Sequence, residues 1–332
     1  MEFRHLMPAD LPQAADLLAA RQRRLRTTFP ELPVDAEAAE PAAAILTAAL
    51  QQSGSSAWGA LAGAQMMAYL IGEPVLDPWR GRSGWIRAGG SAAKDIDAAD
   101  SFADLYARLG QEWIRSGIFA HYVVVPASEG EILRVWFGLS FGIEHVHAVL
   151  DLESLPSAES VSPSGVSLRL ATAEDKAALA RMSDVVWRHQ LGAPVWGAML
   201  PENVDANRAG WVELLDDPTT DVWLALERGE VVGTQAYYPS EMTGVHLLGG
   251  ASTCHLAIAS TRAEARGRGI ATALTRAGLA HARQRGYRFC ETDWRSTNLL
   301  ASRFWPRFGF RPAFDRLVRR IDERIAWAKG DA

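Results

Sequence analysis

The chain has 332 residues, 48% of them hydrophobic and 22% charged, a composition suited to a globular protein of about two domains. A formal net charge of −5 argues against a general nucleic-acid binder. Two cysteines, Cys254 and Cys290, are too few for a disulfide scaffold or a Cys-rich metal site, and eight histidines without HExxH spacing leave metal catalysis unsupported. No apolar run approaches the roughly 20 residues of a membrane span, and MEFRHLMPADL lacks the basic start and apolar core of a secretory signal, so a cytoplasmic protein with no membrane, metal or nucleic-acid partner is expected.

In chain order, FRHLMPADLPQAADLLAA from Phe3 reads as a short strand, an acidic helix start at Asp10 and an amphipathic helix. WGALAGAQMMAYLIG from Trp58 reads as two strands joined by a glycine-containing turn. A strand near GWIRAGGSAA is followed by the acidic KDIDAADSFADLYARLGQEW. WFGLSFGIEHVHAVLDL from Trp136 reads as a helix stopped by Gly142 and then a strand. The Ser- and Pro-rich stretch Glu153 to Gly165 reads as a linker.

The same order then recurs. LRLATAEDKAALARMSDV from Leu168 repeats the first strand and helix, with Asp175 at the helix start. WLALERGEVVGTQAYY from Trp223 repeats the hairpin, and FWPRFGFRPAFDRLVRRI from Phe304 repeats the last helix and strand, with Gly309 as the stop. The offsets are 168 − 3 = 165, 223 − 58 = 165 and 309 − 142 = 167. Near-constant spacing over three landmarks predicts one α/β domain written twice, over residues 1–152 and 166–332, with residues 153–165 between them.

The copies differ after the central strand. In the second, the apolar strand CHLAIA (Cys254 to Ala259) leads to EARGRGIATALTRA. Gly267 and Gly269 let backbone N–H groups approach a ligand without a Cβ in the way. The helix that follows, stopped by Gly286, offers unpaired N–H donors and its positive dipole end. Arg266 and Arg268 add full charges suited to phosphate. This is an anion cradle with a stated mechanism. It is neither a P-loop, since GxxxxGK[ST] is absent, nor GxGxxG, since position 272 is Thr. The first copy sets Asp95, Asp97 and Asp100 where the second sets arginines, which would repel a pyrophosphate.

After the helix come FCETDW, a strand, and RSTNLLASRFWPRFGF. Two spaced motifs over residues 166 to 320 now resemble the GNAT superfamily of acetyl-CoA-dependent N-acetyltransferases: Arg266-x-x-Gly269-x-Ala271, and Asn298-x-x-Ala301-x-x-Phe304-Trp305 ending in Gly309-Phe310. The resemblance implies two tandem GNAT-like α/β domains, each a mixed, mostly antiparallel sheet flanked by helices, the first degenerate. It implies that Arg266, Gly267, Arg268, Gly269, Ile270, Ala271 and Thr272 hold the pyrophosphate of acetyl-CoA. The strand at Leu256, Ala257 and Ile258 would pair with the pantetheine arm, and Asn298, Ala301, Phe304 and Trp305 would flank it. Asn298 also reads as a helix cap.

A transferase of this kind needs a base for the amine, a donor for the thioester oxygen and an acid for the leaving sulfur. The resemblance implies a backbone N–H at a strand bulge near Leu256 to Ile258 as the donor, and a tyrosine as the acid. Trp305 stands at the tyrosine position, and an indole is no usable acid. Candidate bases are His255 and Asp293, each also readable as structural. Cys254 is a possible acyl carrier or a buried thiol. Tyr237, Tyr238, Glu241 and the Trp-rich segments 187–196 and 211–223 are candidates for an acceptor pocket or for core. The expected activity is N-acylation of a small-molecule amine by a monomer or homodimer. The other reading is a coenzyme A-binding sensor that has lost turnover.

Overall fold

A computed structural model describes residues 1–156, 162–243 and 246–328. Part of the expected linker, residues 157–161, lies outside the described residues. The chain divides into two compact units: Met1–His147 with Met242–Leu248 and Pro312–Ala332, and Ala148–Glu241 with Gly249–Arg311. Among the described residues, no helix is long and apolar enough to cross a membrane, and no group of His, Cys, Asp and Glu is placed to hold a metal.

The first unit is built from β1 (Glu2–His5), α1 (Leu11–Thr28), α2 (Ala39–Leu50), β2 (Ser56–Ala62), β3 (Gln65–Asp77), β4 (Gly81–Ile86), β5 (Ser91–Ala93), α3 (Ile96–Ala99), α4 (Ser101–Arg115), β6 (Ala120–Pro126), α5 (Gly130–Gly138) and the start of β7 (Gly142–Asp151). Its sheet runs β1-β2-β3-β4-β6; all pairs are antiparallel except the parallel β4–β6. A parallel pair needs a crossover, and α4 supplies it. One face of α4 buries Phe102, Leu105, Tyr106, Leu109 and Trp113 with Leu70, Val123 and Trp136, the stripe expected of a helix lying on a sheet.

The second unit holds β8 (Val166–Leu170), α6 (Lys176–Leu191), α7 (Val204–Glu213), β9 (Asp221–Glu227), β10 (Glu230–Pro239), β11 (Thr253–Thr261), α8 (Ile270–Gln284), β12 (Phe289–Arg295) and α9 (Leu299–Phe304). Its order, β8-β9-β10-β11-β12, again has one parallel pair, β11–β12, bridged by α8. Strand alternation supplies both faces of the sheet. Val222 and Leu224 pack with Leu179, Met182 and Trp211 on one side. Ala225 packs with Ile270 and Leu274 on the other, where Trp223 joins from the same strand.

The repeat persists in side-chain detail. Arg4 forks onto Asp10 at 2.6 and 2.8 Å, and Arg169 forks onto Asp175 at 2.7 and 2.8 Å. Each carboxylate also accepts a backbone N–H at the start of its helix, from Met7 and from Thr172. Helix stops differ. Gly309 takes the left-handed conformation as expected, φ +91°, whereas in the first copy Ser140 takes it at φ +64° and Gly142 opens β7.

The last strand departs from simple duplication. From Pro312 onward, β13 (Arg311–Arg320) belongs to the first unit, where Phe314 to Arg320 pair antiparallel with β6. This ladder satisfies the edge of β6 that would otherwise stay open. It also buries Asp315 opposite Val125. Burial pushes the Asp315 carboxyl up to about 6. The folded chain therefore keeps this proton to higher pH than the unfolded chain, and stability falls as pH rises from the ordinary carboxyl range through about 6. Asp315→Asn is expected to raise the melting temperature at about pH 8 and to change it little at about pH 4, a difference on the order of 2–3 kcal/mol. A melting difference independent of pH would contradict this.

Candidate active site

Strand β11 ends in a short 3-10 turn, Ala263–Ala265, and the chain enters α8 through Gly267 (φ +73°) and Gly269 (φ +83°). The left-handed backbone at both positions favours glycine, and a Cβ at Gly267 would project into open space. The first turn of a helix has no internal acceptors for its N–H groups. Among the described residues, no acceptor meets the N–H groups of Gly267 to Thr272. Arg266 anchors the turn through Nε to the carbonyl of Thr261, at 3.1 Å. Arg268 turns the other way and forks onto Glu227, one bond being 3.0 Å.

The rest of this turn, Arg268 apart, lines a cavity of about 540 Å³. Of the residues singled out in the sequence, Arg266, Gly267, Gly269, Ile270, Ala271, Thr272, Asn298, Ala301, Phe304 and Trp305 line it. Arg268 does not line it, nor do Leu256, Ala257 and Ile258; the strand wall is the next stretch, Ala259 to Thr261. Leu256 is buried. The bulge lies just before this wall: Ala236 pairs with Ile258 and Tyr237 with Leu256, so Ala257 is the extra residue. Ser260 is 9% exposed and lines the cavity, and its buried Oγ has no hydrogen-bond partner. An orphan hydroxyl and a row of unbonded N–H groups suit a polar, anionic ligand. A second cavity of about 1010 Å³ shares Thr272, Phe304 and Arg307 with the first and is lined by Arg276 and Arg283.

Asn298 caps α9, its Oδ1 accepting the N–H of Ala301 at 3.4 Å. The same oxygen lies 3.3 Å from Nε2 of His189, a residue of α6 that also lines the cavity. No local pattern marks His189 in the sequence; it lies 109 positions from Asn298. Trp305 is 5% exposed and packs edge-on against Phe304 and Phe310.

Alternation separates the other candidates. Cys254 is fully buried, registered against the equally buried Cys290. That environment pushes the Cys290 thiol well above its ordinary range, through burial and the neighbouring Cys254, which opposes thiolate chemistry. His255 joins a polar cluster: Nε2 is 3.4 Å from Asp293 and Nδ1 3.8 Å from Glu291. Tyr238 is its cross-strand partner, with ring centres 5.2 Å apart. Ser240 donates to Glu291. Burial opposes charging of His255, but the hydrogen bond to Asp293 and the charges of Glu291 and Asp293 outweigh it, so its affinity for a proton is raised. Glu291 and Ser240 were not singled out in the sequence. Tyr237 is buried and donates to Gln235, a core role.

The first unit treats the equivalent place differently. From Leu70 to Glu73 is three steps, but their partners run six steps, from Ser91 back to Trp85, so three extra residues bulge there. Arg21, 1% exposed, plugs this bulge with hydrogen bonds to the carbonyls of Ser91 (2.5 Å) and Ala88 (2.7 Å); Tyr69 donates to that of Gly89. At the 165-residue offset Arg21 corresponds to Val186, which lines the open cavity of the second unit. Asp95 caps α3 through the N–H of Ala98.

Residues 190–310 match the family model described as Acetyltransferase (GNAT) family. Among solved structures, a GCN5-related N-acetyltransferase from Sphaerobacter thermophilus is similar with a TM-score of 0.60 and 18% identity, over 96% of this chain and 95% of that one. A tandem GNAT protein from the clavulanic acid biosynthesis pathway is similar with a TM-score of 0.54 and 15% identity, over 99% of each chain. At these identities the likeness is one of fold. No curated protein matches the sequence.

Proposed function

We propose, from the match of residues 190–310 to the GNAT family model, that the chain is an acyl-CoA-dependent N-acyltransferase, using acetyl-CoA, that acts on a small-molecule amine. The observation that carries this reading is the cradle: unbonded N–H groups from Gly267 to Thr272 at a cavity that Asn298 also lines. Each hydrogen bond from a backbone N–H to a charged oxygen contributes about 1.5–3 kcal/mol, so several suffice to hold a pyrophosphate without Arg268. Arg276, Arg283 and Arg307 suit the outer phosphate of the cofactor. Ser260 gives its orphan hydroxyl to the arm, and Ala259 to Thr261 offer their strand backbone.

Acetyl-CoA supplies an activated acyl group as a thioester. The chain's own residues do the rest. The bulge at Ala257 frees a backbone N–H to meet the thioester oxygen as it becomes negative. His255 takes the proton of the attacking amine. Asp293 and Glu291 hold the imidazolium that results, and Tyr238 closes one side of the cluster. The two buried, unpaired cysteines suit a reducing cytoplasm.

The test is free-thiol release from acetyl-CoA by the intact chain against a panel of amines. Turnover with at least one amine is expected. Binding of acetyl-CoA with no turnover on any amine would favour the sensor reading, which the indole at position 305 keeps open. The plug of the first unit gives a second test. Val186→Arg is expected to weaken acetyl-CoA binding by at least about tenfold, ~1.4 kcal/mol, by filling the cavity as Arg21 fills its counterpart. Unchanged affinity in titration calorimetry would contradict the proposed position of the arm.

A further inference from the structure

We propose that a cavity of the first unit binds a small free α-amino acid and holds it without acylating it. The cavity measures about 170 Å³, and all of its lining residues belong to the first unit. Its place follows from the repeat. In the second unit Tyr238, His255 and Glu291 stand side by side on β10, β11 and β12. In the first unit Glu73, Trp85 and Tyr122 form the same row on β3, β4 and β6, and 238 − 73 = 165 gives the repeat offset again. Glu73 and Trp85 line the cavity together with Arg87. The cavity therefore lies where the second unit sets its His255 cluster. Arg21 fills the bulge at Ala88 and Ser91, and the indole at the place of His255 takes no proton. The site does not depend on the acyltransferase reading of the second unit.

Glu73 and Arg87 carry the recognition. Oε1 of Glu73 accepts from Nε of Arg87 at 2.6 Å. That single bond leaves Oε2 and both Nη groups over, and among the described residues none of these has a hydrogen-bond partner. Glu73 is 8% exposed and lines the cavity; a carboxylate so deeply buried is stable only when its second oxygen is met, by water or by a ligand. Arg87 Cζ lies 4.4 Å from the ring centre of Trp85, and Trp85 stacks on Tyr122 with ring centres 4.4 Å apart. The guanidinium is thus positioned before a ligand arrives. Its Nη groups suit a carboxylate, and Oε2 suits an ammonium. A lone anion or a lone cation would meet one of these groups and be repelled by the other, so the pair selects a ligand that carries both charges. The volume sets the size, since a cavity of about 150 Å³ takes a molecule as large as benzene. Ala49, near the end of α2, and Ile71 offer apolar wall to a side chain.

The test is calorimetric titration of the intact chain with a panel of free L-amino acids, with acetate and methylamine as single-charge probes. At least one amino acid is expected to bind with a Kd of about 1 mM or tighter, and both single-charge probes at least about tenfold more weakly. Glu73→Gln, which removes the negative charge and keeps the shape, is expected to weaken that amino acid by at least about tenfold. Ala49→Phe, which fills the cavity and leaves both charges, is expected to do the same with the melting temperature little moved, and it decides alone should Glu73→Gln not fold. Acetyl-CoA affinity is expected to stay within about threefold in both variants, which separates this site from that of the second unit. No binding by any amino acid of the panel, wild-type affinity in either folded variant, or acetate or methylamine bound as tightly as the best amino acid overturns the proposal.

Discussion

His255→Gln is expected to lower the turnover of the chain by about 10²–10⁴-fold with acetyl-CoA affinity retained. The glutamine keeps the size and hydrogen bonding of the imidazole but cannot take a proton. The electrostatic surroundings add a second, directional expectation. Asp293 and Glu291 raise the proton affinity of His255, and a base acts only when deprotonated, so activity should rise with pH through a pKa above the ordinary histidine value. Asp293→Asn removes the hydrogen-bonded carboxylate and leaves the burial that disfavours charge. The acid limb of the pH–rate profile should therefore move to lower pH. A limb that stays in place in Asp293→Asn, or full activity in His255→Gln, would assign the base elsewhere.

Gly269→Asp is expected to weaken acetyl-CoA binding by at least about 100-fold. Two effects add. The position has φ +83°, which an aspartate tolerates with some strain, and the new carboxylate faces the phosphates. Like charges about 4 Å apart near a protein surface repel by up to ~4 kcal/mol, whereas 100-fold needs only about 2.7 kcal/mol. The packing cost is small, since the nearest atom to a Cβ there is Pro163 Cγ at 3.8 Å. The melting temperature should thus move little, and this separates lost binding from lost fold. Calorimetric titration of the variant decides the matter, because unchanged affinity would remove the loop from the phosphate site.

Much of this was legible in the sequence, for a physical reason. Period-2 and period-3.6 patterns and glycine stops are local, so two copies of one set of instructions left the same marks 165 residues apart, down to Arg4–Asp10 and Arg169–Asp175. The cradle was legible because two left-handed glycines at a helix start are also local. Facing and pairing were less so. Alternation put Cys254 and His255 on opposite faces without saying which was which, and only the packing of Cys254 against Cys290 decided it. The strand wall of the cavity falls at Ala259 to Thr261 because the bulge at Ala257 shifts the register just before it. The docking of β13 on β6 leaves no mark on either strand. The pairs His189–Asn298 and Ser240–Glu291 join residues 109 and 51 positions apart, beyond any local pattern.

The contrast between the units follows from few residues. Arg21 and three extra residues fill in the first unit what Val186 and a one-residue bulge leave open in the second. A buried guanidinium is stable only when its donors are met, and the carbonyls of Ala88 and Ser91 meet them. On this account one donor site exists in a chain that holds the fold twice. Calorimetric titration of acetyl-CoA into the intact chain tests this most directly. The account predicts a single site per chain; no binding, or two sites per chain, would contradict it.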